Sequence, residues 1–374
     1  MKRIGAVRIG AVKKLGAVLA TVLVALTSIT APAPAADRGQ WNTRLFSRVP
    51  APGFPAYVHV HTNGRVYAGS YVDPGSSTPS RVFEWRADGT LLRSWTVPGQ
   101  RLDADHGVQV AAQTKDGKLV LLETSRSAVL TLDVRTGRFR AVATLRDLPS
   151  CTVPGEQGCS PSLVDAPAVP NYATWGPGGL YVTDYAQAVI WRVSRAGVAR
   201  PWFRSRGLDG AEFGTTGIRY RPATRDLLVT QQAVLDGTGL PTNGRLYRLP
   251  ISSDGRPGRL HTMWSSRPGD LPDGFGIGRS GAIYIAATGS AQLVKVGPGG
   301  KELNRVPDVP LLGSNGSGIP FDTPCSATFL GSSVLVANQS AIVGDADHQA
   351  ILDVHVGERG VAPYLPRGAR FRTG

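Results

Sequence analysis

A two-strand phrase recurs six times along this chain, and its recurrence leaves few folds open. The copies are PAYVHVHTNGRVYAGSY from Pro55, HGVQVAAQTKDGKLVLLE from His106, PNYATWGPGGLYVTDY from Pro170, TGIRYRPATRDLLVTQQ from Thr216, PDGFGIGRSGAIYIAAT from Pro272 and PCSATFLGSSVLVANQ from Pro324. Each joins a short apolar run to a second one through a polar turn. Most copies then continue alike: AVIWRVS, a turn RAG and VARPWF in one, AQLVKVG, a turn PGG and ELNRV in another. Such runs read as strands connected by tight turns that need Gly or Asp at positive φ. Six units of about 50 residues, each a four-stranded antiparallel sheet, predict an all-β chain folded as a six-bladed β-propeller. One such sheet cannot bury both faces alone, whereas blade stacked on blade can. The repeat therefore predicts one closed domain over 36–374 rather than the two domains that length alone allows.

The ring needs a clasp. RLFSRV from Arg44 resembles the outer strand of a blade yet precedes the first copy, and GVAPYLP from Gly360 resembles one as well. Either end can close the ring. The tail RGARFRTG from Arg367 has no repeat partner and is expected to fray.

Ahead of the repeats, Lys2, Arg3, Arg8, Lys13 and Lys14 precede the uncharged stretch LGAVLATVLVALTSIT and the small residues APAPAAD. This is the plan of a secretory signal peptide over 1–35, cleaved after Ala35. The apolar run is shorter than the roughly 20 residues of a spanning helix. A secreted, extracellular protein with no integral membrane segment after cleavage is expected. The leader's five basic residues take the formal charge from +14 for the whole chain to +9 for the rest. The remaining arginines are dispersed, not clustered with aromatics on one element, which argues against nucleic acid as a partner. A small molecule or a cell-envelope ligand is the expected partner, and the chain is read as a monomer.

In an oxidising compartment Cys151 and Cys159 can close the loop SCTVPGEQGCSP as a local staple, leaving Cys325 over near a strand start. Their spacing does not suit a zinc site.

In a propeller the first strand of each blade lines the central channel, so residues just before it ring one mouth. Read across the copies, these are Phe54 or its neighbours, His106, Asn171, Thr216, Asp273 and Cys325. Oxygen and nitrogen donors from His106, Asn171, Thr216 and Asp273 then share one mouth, as a bound cation or small polar ligand requires. Taken singly, Asp or Asn before a strand more often caps a local Asx-turn; four in register favour a site.

The stretches PNYATWGPGGLYVTD, TTGIRYRPATRDLLVT and PDGFGIGRSGAIYIA resemble the gluconolactonase and regucalcin family of six-bladed propellers over most of residues 50–340. The landmarks are Asn171 in a Pro-Asn pair and Asp273 in a Pro-Asp-Gly triplet. The resemblance implies hydrolysis of sugar lactones. It also implies a divalent cation, calcium or zinc, held in the channel by a Glu from blade 1, an Asn from a later blade and the Asp of the triplet. Carried over by position, Asp273 is a metal ligand and candidate general base, and Asn171 a metal or substrate contact. Two departures stand out. Phe54-Pro55-Ala56 replaces Glu-Gly-Pro in blade 1, and Thr215-Thr216-Gly217 replaces Ser-Asn-Gly in blade 4. The loss of an anionic and an amide ligand weakens a hard-cation site, whose affinity rises with ligand charge; His106 is the candidate to compensate.

Other features point less far. His59 and His61 share a strand face, read as two partly exposed strand residues. GDADHQA from Gly344 falls where a hairpin loop belongs. GSNGSG from Gly313 opens no helix and is no phosphate cradle. The sequence thus supports a metal-assisted lactone or ester hydrolase, with a non-catalytic binding propeller as the alternative and another propeller chemistry such as a lyase as a third.

Overall fold

The repeats fold as the alternation predicts. The computed structural model describes residues 38–372 apart from 73–74, 154, 211–212, 235–241 and 312, so the leader expected over 1–35 lies outside the described residues. The propeller lies within one compact unit, Gly39–Gly374.

Blade 1 comprises Phe54–Val60, Val66–Val72, Arg81–Trp85 and Leu91–Thr96, and blade 2 comprises His106–Gln113, Leu119–Glu123, Ala128–Asp133 and Arg138–Thr144. Blade 3 is Pro170–Gly176, Gly179–Asp184, Val189–Val193 and Ala199–Arg204; blade 4 is Thr215–Arg221, Asp226–Gln231, Asn243–Pro250 and His261–Pro268. Blade 5 is Pro272–Ile277, Ile283–Ala287, Gln292–Val296 and Glu302–Val306. Blade 6 takes Pro324–Leu330, Ser333–Asn338 and Ala350–His355 from one end of the chain and its outer strand, Thr43–Arg48, from the other. All pairings within the blades are antiparallel, and the six first strands contact one another in a closed ring around the channel.

The N-terminal segment is therefore the clasp. Thr43 pairs with Val354 and Arg48 with Ala350, and Arg44 holds Asp353 at 2.8 Å. GVAPYLP instead runs across the far end of the channel: Val361 N–H donates to Ile277 at 2.7 Å and Tyr364 meets Tyr220 edge-on. The tail beyond it does not fray as far as Arg372. Ala369 is fully buried, Phe371 packs on Trp175, and Arg372 N–H donates to Arg195. Its apolar side chains find blade faces to cover, which a search for repeat partners could not show.

Apolar faces pack blade against blade, as between blades 3 and 4, where Tyr181 and Ile190 meet Ile218, Leu227 and Val229. Each such fully buried large side chain contributes roughly 1.5–3 kcal/mol. Cys151 and Cys159 are bonded, and Cys325 is free and buried. Closing so short a loop restrains the unfolded chain by at most about 2–3 kcal/mol in the loop-entropy model. Replacing both cysteines by serine should therefore lower the unfolding free energy by no more than that in denaturant titration, leaving the β-sheet circular dichroism unchanged.

Inner strands carry the feature that positions the site. In blade 5, Pro272 pairs with Ala287 and Phe275 with Ile285, so Asp273 and Gly274 stand opposite the single residue Ala286. The same two-against-one bulge places Asn171–Tyr172, Thr216–Gly217 and Ala56–Tyr57 in blades 3, 4 and 1. Bulges re-aim side chains at strand ends, and here they recur at one mouth of the channel.

Candidate functional site at the Asp273 mouth

Strand pairing defines which residues share the ring. Pro272, opposite the last residue of its second strand, corresponds to Pro55, Val108, Pro170, Thr215 and Pro324. The ring is thus Ala56, Gln109, Asn171, Thr216, Asp273 and Cys325. Two sequence assignments shift. Blade 1 contributes Ala56 rather than Phe54, although Phe54 still reaches the cavity wall, stacked on Tyr71 at 6.0 Å. Blade 2 contributes Gln109 rather than His106. There the inner strand starts early, because His106 and Gly107 pair with Val72 and Tyr71 of blade 1. A side chain at Gly107 would collide with the Tyr71 ring, its Cβ falling 2.1 Å away. His106 does not join the site. Its ring nitrogens face the carbonyls of Ala104 at 2.9 Å and Thr78 at 2.8 Å. Thr216 is on the ring, but its hydroxyl lies 3.1 Å from that of Thr230 and donates to Pro272 O at 3.2 Å, away from the cavity.

What converges is a cavity of about 300 Å³ lined by Gln109, Asn171 and Asp273, with aromatic walls from Phe54, Tyr71 and Tyr172. Oδ2 of Asp273 accepts from Gln232 Nε2 at 3.2 Å and lies 3.4 Å from the Thr288 hydroxyl. The Tyr172 hydroxyl donates to the Cys325 carbonyl. Gln232 is in turn oriented by Tyr185, whose hydroxyl donates to its Oε1 at 2.7 Å. Gln109 donates to Tyr71 at 2.9 Å. After these bonds three oxygens are left over. Gln109 Oε1, Asn171 Oδ1 and Asp273 Oδ1 are buried and without a hydrogen-bond partner, and all three residues line this one cavity. Unsatisfied buried acceptors cost about 1–3 kcal/mol each. Three on one mouth mark a place built for a ligand that supplies positive charge or donors.

Burial pushes the Asp273 carboxyl group up from 3.8 to about 7, against the opposing pull of the Thr288 and Gln232 side chains. The same burial drives the Tyr172 hydroxyl and the Cys325 thiol well above their ordinary values, so both stay neutral. Among the described residues no group of three or more His, Cys, Asp or Glu side chains could hold a metal. The donor set at the mouth is different in kind: one carboxylate and two amide oxygens. An all-oxygen set of this kind suits a hard, oxygen-seeking divalent cation.

No family model matches the chain, and no curated protein matches its sequence. Solved structures do. A calcium-binding regucalcin from Agrobacterium tumefaciens is 17% identical, with 87% of this chain and 98% of that one covered at a TM-score of 0.58. A candidate gluconolactonase is 14% identical, with 86% and 94% covered at 0.54. The likeness is one of fold. It establishes that this chain has the β-propeller fold these proteins share. The same fold also carries other chemistry: virginiamycin B lyase from Staphylococcus aureus is 14% identical, with 82% of this chain and 97% of that one covered at 0.50. The reaction must therefore be argued from the residues of the site.

Sequence reasoning missed Gln109, Gln232 and Tyr172. Gln109 carried a signal, a lone amide inside the apolar run HGVQVAA. Gln232 and Tyr172 carried none, since each belongs to the site only through contacts between blades.

Proposed function

We propose that the Asp273 mouth binds a small, oxygen-rich molecule such as a sugar lactone or related ester and promotes its hydrolysis. The observation that carries this reading is the meeting of three unpartnered oxygens, from Gln109, Asn171 and Asp273, in one small cavity. Residue by residue, Phe54, Tyr71 and Tyr172 offer flat walls against a sugar ring, and Gln109 and Asn171 accept from its hydroxyls. Asp273, held by Gln232 and Thr288, takes the proton of an attacking water through its free Oδ1. A carboxyl group pushed to about 7 matches that task, because a general base works best near the operating pH. With calcium bound, Gln109, Asn171 and Asp273 would instead hold the ion, which would supply polarisation of the reacting carbonyl in place of the hydroxyl contacts.

One observation favours the non-catalytic alternative: the ring holds a single carboxylate, and blade 1 has Phe54 where the resemblance implies an acid. Export of the chain as a monomer belongs to the same proposal, supported by the basic leader and by the Cys151–Cys159 disulfide, a bond of oxidising compartments.

The test is a pH-indicator screen of the exported protein against sugar lactones, with and without calcium, beside Asp273→Ala. Turnover that falls at least about a hundredfold in the variant is expected for a lost general base. Equal rates in the two proteins would sink the enzyme reading and leave the binding one.

A further inference from the structure

At the opposite end of the channel the inner strands finish around a larger cavity, of about 870 Å³. Its walls come from the last residues of the inner strands and from the C-terminal segment that crosses them. Tyr364 closes one side against Tyr220, and Arg359 is tied to the backbone of Arg279 at 2.9 Å. This size lies within the range of small-molecule sites.

The charge of the wall is one-sided. Arg219, Arg221, Arg279 and Arg359 line the cavity together with His59 and His61, and no Asp or Glu among the described residues does. Arg221 is neutralised from outside by Asp226, at 2.7 and 2.8 Å. Arg279 and Arg359 are exposed at the rim. Arg219 is the exception that needs explaining. It is only 8% exposed, and no carboxylate among the described residues pairs with it. Its guanidinium donates to its neighbour's carbonyl, Ile218 O at 3.1 Å, and to the Tyr57 hydroxyl, and lies over the Tyr57 ring. That uses two of the five N–H donors of an arginine, which stays charged in any protein environment. A buried cation without a counter-ion is costly.

The histidines do not supply the missing anion or add a competing charge. The structure shows both buried, 4% and 5% exposed, where the sequence placed them partly in solvent. Burial lowers His59 to about 3 and lowers His61 as well, so both rings are neutral near pH 7. His61 accepts from Asn63 N–H on Nδ1 and faces Gly117 O through Nε2, which fixes its tautomer as Nε2–H. Around Arg219 the wall is aromatic, from Tyr57, Trp175, Tyr220, Phe329 and Tyr364.

We propose that this cavity is a second ligand site, for a small organic carboxylate with a flat apolar body, whose carboxylate lies on the Arg219 guanidinium. A guanidinium fork matches a carboxylate with two parallel N–H···O bonds, and the aromatic wall takes the ring. The site is separate from the Asp273 mouth and does not depend on the hydrolase reading.

The probe is 2-naphthoate, with the neutral isostere 2-naphthamide as control, titrated into the full exported chain and followed by calorimetry and by quenching of tryptophan fluorescence. Saturable binding of the acid is expected, at least about tenfold tighter than of the amide, since charge-assisted bonds are about twice as strong as neutral ones. Arg219→Met should weaken the acid at least tenfold while leaving calcium uptake at the other mouth unchanged. Equal affinity for acid and amide, or no binding of either at millimolar concentration, overturns the proposal. So does undiminished binding to a folded Arg219→Met. If that variant fails to fold, the acid-against-amide comparison in the natural protein still decides.

Discussion

In chelator at pH 8, Asp273→Asn is expected to be more stable than the natural protein by up to about 4 kcal/mol, despite altering the centre of the proposed site. The folded carboxyl group sits at about 7 against 3.8 for the ordinary side chain, a difference worth about 4 kcal/mol. Because the folded value is the higher one, the folded state holds the proton more tightly. The stabilisation is whole below about pH 4, drains away as pH rises toward 7, and above that the buried charge is a net burden. Asparagine removes the ionisation, keeps an oxygen for the Gln232 donor, and points its amide hydrogens where Gln109 and Asn171 have acceptors to spare.

His59 works in the opposite sense over nearly the same window. Its lowered value, about 3, gives stability that is present above about 6.5 and lost as pH falls toward 3. The natural protein alone can therefore show a shallow pH profile. The difference in unfolding free energy between the two proteins isolates Asp273: near zero at pH 4 and several kcal/mol in favour of the variant at pH 8. A difference that stays flat with pH would show that the carboxyl group is not desolvated as the geometry requires.

A chain that begins at Pro50 should fail to hold the ring. Without Thr43–Arg48, the strand Ala350–His355 becomes an edge, and its fully buried row from Ala350 to Val354 is laid open on one side. Trp41 leaves Tyr284, and Phe46 and Val49 leave the cluster around Trp85 and Phe83. At roughly 1.5–3 kcal/mol for each large apolar group, the loss is about 5 kcal/mol before any backbone bond is counted. That rivals the whole stability of a typical domain, about 5–15 kcal/mol. Loss of the cooperative thermal transition, or association through the bared edge, is the expected outcome. A truncated protein that melts within a few degrees of the natural one would mean that the C-terminal segment closes the ring after all.

The six-fold phrase carried the architecture because strand, turn and strand are local facts, and their repetition encodes the neighbours. Register was harder. Blades 3 and 5 open on Pro-Asn and Pro-Asp-Gly, and there sequence and structure agree on Asn171 and Asp273. Blade 2 opens three residues early, through a pairing between blades that Gly107 permits by lacking a side chain, and so His106 stood in for Gln109. Thr216 was placed on the right ring but with no view of Thr230 and Pro272, which claim its hydroxyl. The clasp could not be chosen from strand character alone, since both termini have it. The far cavity was wholly illegible: Arg219, Tyr57 and Tyr364 come from three distant stretches, and only closure of the ring brings them together.

The central claim is that the unpartnered oxygens of Gln109, Asn171 and Asp273 form one built site. Calorimetric titration of calcium into the chelator-treated protein addresses it directly. One saturable site is predicted, weak as befits a single carboxylate, with Kd about 10⁻⁴–10⁻³ M, and lost in both Asp273→Asn and Asn171→Ala. No heat of binding at ten millimolar calcium, or the same isotherm from all three proteins, would contradict it.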